Sequence, residues 1–242
     1  MPEPTLLWAV ALLAVTCGAL VQGSVGFGVG LIAAPFLMWT IPESVPVSLL
    51  ILGGVMALIT LVSEWRSIDA RGVAWALLGR LPGVVVGAGL LLVASGDLLG
   101  VLIGLTVVFA AALQWWRWTV PRTNTNLVAA GAIAGVTGTI SGIGGPPVAM
   151  VYAGQPGPRV RASLAAYFAV GSIMSLTGLG LSGQVRTENL VQALFLLPAL
   201  VVGAVLARPL ARVLDSGRTR RSILIVAGIS GLILAITSVL GF

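Results

Sequence analysis

The sequence predicts an all-α polytopic membrane protein built from two inverted five-segment repeats, with broken or re-entrant helices at two glycine-rich motifs. Three observations lead there: too little charge for a water-facing surface, ten apolar runs, and a constant offset between glycines and prolines of the two halves. Of 242 residues, 58% are hydrophobic and 8% charged, whereas soluble domains carry about 25% charge. Most of this surface must therefore meet lipid. Ten spans of about 20 residues would take up about 200 residues, which leaves no room for a soluble catalytic domain.

The apolar runs are 5–22, 24–40, 45–63, 72–94, 97–116, 125–140, 145–155, 162–182, 188–209 and 222–241, each bounded by Pro, Gly or charge. The second and seventh are short and open on glycine. Met1-Pro2-Glu3-Pro4 lacks the positive n-region of a signal peptide, so Leu6 to Val21 is expected as a retained span. The net charge of +6 raises the question of nucleic acid. The basic residues sit in short loops between spans, however, and read as topology signals. Arg66, Arg71, Arg117, Arg122, Arg159, Arg161, Arg208, Arg212, Arg218, Arg220 and Arg221 flank the loops after the odd-numbered segments. Glu43, Asp97, Arg186 and Glu188 flank the others. The positive-inside rule places the arginine-rich loops in the cytoplasm and both termini outside, in a multi-pass cell (inner or plasma) membrane protein. Trp8, Trp39, Trp65, Trp115, Trp116 and Trp118 near segment ends fit an interfacial aromatic belt. With no histidine and one cysteine, Cys17, neither a disulfide within the chain nor a metal or cofactor site is expected, and Cys17 reads as a packing residue.

Adding 116 to a residue number carries Gly26 to Gly142, Gly28 to Gly144, Pro42 to Pro158, Pro82 to Pro198 and Gly87 to Gly203. The halves, 1–120 and 121–242, each hold five segments. Because five is odd, the second half must enter the membrane from the opposite side. This inverted-repeat plan is common among secondary transporters, whose sites lie at the repeat interface near the midplane. Pro82 and Pro198, symmetry mates inside spans, are hinge candidates.

The two motifs are Gln22-Gly23-Ser24-Val25-Gly26-Phe27-Gly28-Val29-Gly30 and Gly138-Thr139-Ile140-Ser141-Gly142-Ile143-Gly144-Gly145-Pro146-Pro147. Such glycine density weakens a helix by up to about 1 kcal/mol per residue relative to Ala. A broken backbone in lipid must be covered by protein or line a cavity. Pro146 suits a first helical position. A helix start there has free N–H groups and a positive dipole end that favour an anion. The candidate substrate-binding residues are Ser24, Gly26, Phe27, Gly28, Ser141, Gly142, Gly144, Gly145 and Pro146. Close helix packing by small residues is the alternative use of these glycines. The GxGxxG-like spacing of the first motif has neither the preceding strand nor the Lys-Ser/Thr of a phosphate loop.

Arg80 is the one arginine well inside a span. It lies about 13 Å along the helix from Arg71, near the middle of a core about 30 Å thick. An intramembrane arginine either pairs with an anion or carboxylate or snorkels to the interface. All seven acids lie in or beside loops, so a small anionic substrate is the suitable partner. The equivalent position in the other half is Leu196. The same lack of intramembrane Asp, Glu and His argues against a carboxylate proton relay. Anion efflux can instead run on a negative interior potential, about 2.3 kcal/mol per charge per 100 mV. Tyr152, Gln155 and Gln22 lie near the motifs as further polar residues.

At Gly26-Phe27-Gly28, Ser141-Gly142-Ile143-Gly144-Gly145-Pro146-Pro147, Arg161-Ala162-Ser163-Leu164 and Leu81-Pro82-Gly83 with Gly87, the chain resembles the TauE/SafE family of sulfite exporters over nearly its whole length. The resemblance implies export of sulfite or an organosulfonate, by alternating access if the repeats are inverted. An importer of another sulfur oxyanion and a passive anion channel are the alternatives. Enzyme chemistry is not expected without His, a Cys pair or intramembrane acids. The expected partners are a small anion and the bilayer, not nucleic acid, and a homo-oligomer is compatible with the lipid-facing surface. The first motif has Val29-Gly30 where the second has Gly145-Pro146, so its helix start is less clearly marked.

Overall fold

A computed structural model describes residues 4–116, 118–214 and 217–241. Met1 to Glu3 and Arg117 fall outside these, as do the side chains of Arg208, Arg212, Arg218 and Arg220. The described chain is all helix: α1 (Pro4–Val25), α2 (Val29–Thr40), α3 (Val47–Glu64), α4 (Ala70–Val93), α5 (Gly96–Trp116), α6 (Asn124–Ser141), α7 (Gly145–Val151), α8 (Gly157–Leu181), α9 (Thr187–Leu214) and α10 (Gly217–Leu240), with short 3₁₀ turns at Pro42–Ser44 and Trp65–Ser67.

Seven of these, α1, α3, α4, α5, α8, α9 and α10, are long and apolar enough to cross a membrane. The remaining three are shorter or more polar, and the second and seventh are the segments expected to be short. α2 has 12 residues and α7 has 7, about 18 Å and about 10 Å of helix, too short for a core of about 30 Å. α6 has 18 residues but opens on Asn124-Thr125-Asn126. The first break also differs from expectation: α1 runs through Gly23 and Ser24 to Val25, and the chain turns at Gly26 to Gly28. Gly26 and Gly142 have φ of 97° and 72°, left-handed values that glycine adopts at little cost. At Gly142 this forms a helix cap, its N–H donating to the Gly138 carbonyl. α2 then folds back on α1, and α7 on α6.

The main helix pairs are α4 with α6, α5 with α10, α1 with α9 and α3 with α8. Between α4 and α6 the backbones meet. A Cβ on Gly79 would lie 1.9 Å from the Val128 carbonyl oxygen, and one on Gly131 would lie 1.9 Å from that of Ala76. Helices in lipid gain no hydrophobic free energy by associating, so close van der Waals packing of small residues has to hold them. Gly131→Leu should therefore destabilise the protein severely, by more than about 3 kcal/mol. A thermal midpoint in detergent unchanged from wild type would contradict this packing.

Val62, Val85, Val93, Leu181 and Val239 are among many large apolar side chains on the outer surface. So large an apolar exposure fits a lipid-facing wall. Trp39, Trp65, Trp115, Trp116 and Trp118 are exposed near helix ends. Cys17 is exposed rather than packed inside, which corrects the expectation for it. It faces outward beside Leu13 into an apolar groove between α1, α2 and α10, where lipid can satisfy a thiol as well as a core would.

Candidate functional site

The two breaks meet. A Cβ on Gly30 would lie 2.7 Å from the Gly142 carbonyl oxygen, and one on Gly145 would lie 2.7 Å from Phe27 Cβ. Between them is a small cavity of about 20 Å³ lined by Gln22, Phe27, Gly28, Arg80, Gly144 and Ser172, with Leu49, Leu50 and Phe168 among its apolar walls. It has room for about one water-sized group.

Arg80 is 2% exposed, so it does not snorkel. Its guanidinium reaches the cavity through a gap left by glycines: a Cβ on Gly171 would lie 2.6 Å from Cζ, and one on Gly144 would lie 3.3 Å from Nη1. Nη2 donates to Ser175 Oγ at 3.1 Å, and Ser175 Oγ lies 2.9 Å from Thr139 Oγ1. Cζ sits 5.0 Å from the Tyr167 ring centroid, a cation–π contact. Nε and Nη1 are buried and have no hydrogen-bond partner. Among the described residues every ion pair lies elsewhere, at Asp69 and Glu64. A buried charge with unsatisfied donors is costly, and such a group in a native fold calls for an explanation.

Of the residues expected to bind substrate, Phe27, Gly28, Arg80, Gly142, Gly144, Gly145 and Pro146 line this cavity, and Ser24, Gly26 and Ser141 do not. The Ser24 and Ser141 hydroxyls donate to the Leu20 and Thr137 carbonyls of their own helices. Few N–H groups remain at the helix starts. Gln22 Oε1 accepts from Val29 N–H, and Pro146 and Pro147 in the first turn of α7 have none. Ser172 in the lining and Ser175, Thr139 and Tyr167 around Arg80 carry no mark in the sequence, since hydroxyl residues are common in spans.

Comparison with known proteins gives the family. The model of the family "Sulfite exporter TauE/SafE" matches residues 10–234. This chain belongs to the TauE/SafE family. A probable sulfite/organosulfonate exporter TauE of Cupriavidus necator (strain ATCC 17699) is 28% identical over 239 residues, covering 91% of this chain and 92% of the relative. No solved structure matches.

In this TauE/SafE protein the arginine-rich loops carry a second polar cluster. Asp69 caps α4 by accepting from Gly72 N–H, takes a hydrogen bond from the Tyr152 hydroxyl at 3.1 Å, pairs with Arg122, and has Arg159 at 3.8 Å. Burial opposes ionisation of Asp69, but the Arg122 guanidinium, the Gly72 N–H and the Tyr152 hydroxyl outweigh it and hold its pKa below the ordinary value. Burial, then the Asp69 charge, raises the Tyr152 hydroxyl, which stays a donor. Nearby, Arg161 donates to both Glu64 oxygens at 2.9 and 3.2 Å through Nε, joining α8 to α3. On the other side of the molecule the ties are neutral: Ser48 Oγ donates to the Asn189 carbonyl, and Gln184 Nε2 to that of Ala88.

A depressed carboxylate pKa stabilises the fold at pH above the unfolded value, about 4, and that contribution vanishes as pH falls through the folded value. Asp69→Asn should therefore lower the thermal midpoint in detergent at neutral pH. The gap to wild type should shrink below about pH 4. An equal gap at pH 7 and in acid would contradict the assignment.

A cleft of about 320 Å³ on the arginine-rich side, bordered by Leu113, Gln114, Thr119, Met150 and Val160, reaches inward to Phe27. Phe27 also lines the central cavity, and so stands between the two.

Proposed function

We propose that this protein exports a small sulfur oxyanion, sulfite or an organosulfonate, by alternating access between inverted repeats at 1–120 and 121–242. The observation that carries the anion site is Arg80, buried at the meeting point of the two breaks with Nε and Nη1 unpaired. The substrate class rests on the family and on the printed name of the Cupriavidus necator relative.

Support for the repeat comes from packing. Under the 116-residue offset α1 corresponds to α6, α3 to α8, α4 to α9 and α5 to α10. The pairs α1–α9 and α4–α6 then exchange, while α3–α8 and α5–α10 map onto themselves. The breaks follow suit: Gly26 lies against Leu164 of α8, and Gly142 against Leu49 of α3. The cavity is small, which favours a carrier that must open over a continuous pore. With the arginine-rich face in the cytoplasm, the cleft beyond Phe27 is the inner approach, and both termini lie outside. The two ion-paired clusters, at Asp69 and Glu64, tie the halves together on that face.

Liposomes holding purified protein and labelled sulfite test this reading. Saturable flux, competed by sulfonates and slowed when the membrane potential is collapsed, is the expected result. Flux linear in concentration would indicate a passive channel, and potential-independent export would remove the proposed driving force.

A further inference from the structure

We propose that the site accepts only monoanions, bisulfite and small alkanesulfonates, and rejects dianions such as fully ionised sulfite and sulfate. This rests on the cavity being the anion site. Arg80 is the one charged residue in its lining. The groups that face the guanidinium are neutral: Thr139 and Gly138 from α6, Gly144 before α7, and Tyr167, Gly171 and Ser175 from α8. The titratable and charged side chains of the elements packed around it, other than Tyr167, lie at the arginine-rich ends. There Arg122 and Arg159 face Asp69, and Arg161 is bound to Glu64.

A monoanion against Arg80 makes a neutral pair that the apolar walls of Leu49, Leu50 and Phe168 can surround. A dianion leaves one net negative charge buried among them with no second cation, and an uncompensated buried charge is strongly disfavoured. The three N–H donors on Nε and Nη1 match sulfonate oxygens without requiring the second charge. Ser172 and Gln22 in the lining are neutral polar groups that leave this charge balance unchanged.

Bisulfite loses its one proton near neutral pH to give the sulfite dianion, whereas methanesulfonate has none to lose. Initial flux of each would be measured with the full-length protein in liposomes, stepping the pH on the donor side. Between about pH 6 and about pH 8.5, the apparent KM for total sulfite should rise toward about tenfold per pH unit, in inverse proportion to the bisulfite fraction. The KM for methanesulfonate should stay level, and sulfate should not compete. A sulfite KM independent of pH, or competition by sulfate as strong as by methanesulfonate, would overturn monoanion selectivity and leave the exporter reading intact. Failure to move either substrate would overturn both.

Discussion

Arg80→Met removes transport and leaves the fold standing. The loss should equal that of a buried charge partner, about 3–5 kcal/mol, which is roughly a hundred- to several-thousand-fold in kcat/KM for sulfite. Stability should move the other way. In the wild type Nε and Nη1 are buried without partners, and replacing a desolvated charge with an apolar side chain of similar length relieves that cost. The thermal midpoint in detergent should hold or rise, as expected where a site is kept at the expense of stability. Flux within twofold of wild type would remove Arg80 from the mechanism. Loss of flux together with loss of fold would instead make it a structural residue.

Gly171→Val should be nearly as damaging, by a different route. A Cβ at this position would lie 2.6 Å from Arg80 Cζ, 2.7 Å from Nε and 2.8 Å from Nη1. The guanidinium cannot easily give way, because Ser175 holds Nη2 and the Tyr167 ring lies 5.0 Å from Cζ. Overpacking of about 1–3 kcal/mol should reappear as a roughly ten- to hundredfold rise in KM, since the charge is displaced from the cavity rather than deleted. Gly180 lies on the same helix with nothing within 4 Å of its would-be Cβ, so Gly180→Val is the matched control and should transport normally. Equal effects of the two substitutions would show that the contact with Arg80 is not what matters at Gly171.

Much of the fold was legible because lipid enforces a coarse code. Leu, Val and Ala fill the spans, while Pro, Gly and Arg mark their ends, and all ten helices begin within about five residues of the expected positions. At α2 the start falls at Val29 rather than residue 24. Gly23 and Ser24 read as breakers in sequence, yet both are helical. The turn waits for Gly26 and Gly28, where positive φ is required. Within the site, Arg80 stood out because a lone charge in a span is rare. Ser175, Thr139 and Tyr167 did not, because their role exists only through α8 and α6 closing on α4. The Asp69 cluster was hidden for a similar reason. Arg122 is 53 residues away in sequence, and an acid beside a loop ordinarily meets water. The helix starts offer fewer anion donors than the glycine motifs suggest: Gln22 takes up Val29 N–H, and the prolines that mark α7 also remove its donors. Under the proposed function, the weight of anion recognition then falls on a single guanidinium.

Equilibrium binding of labelled sulfite to the purified protein, wild type against Arg80→Met, tests that claim most directly. Saturable binding to the wild type, displaced by methanesulfonate and absent from a folded Arg80→Met variant, is the expected result. Equal binding by both proteins would contradict an anion site built on Arg80.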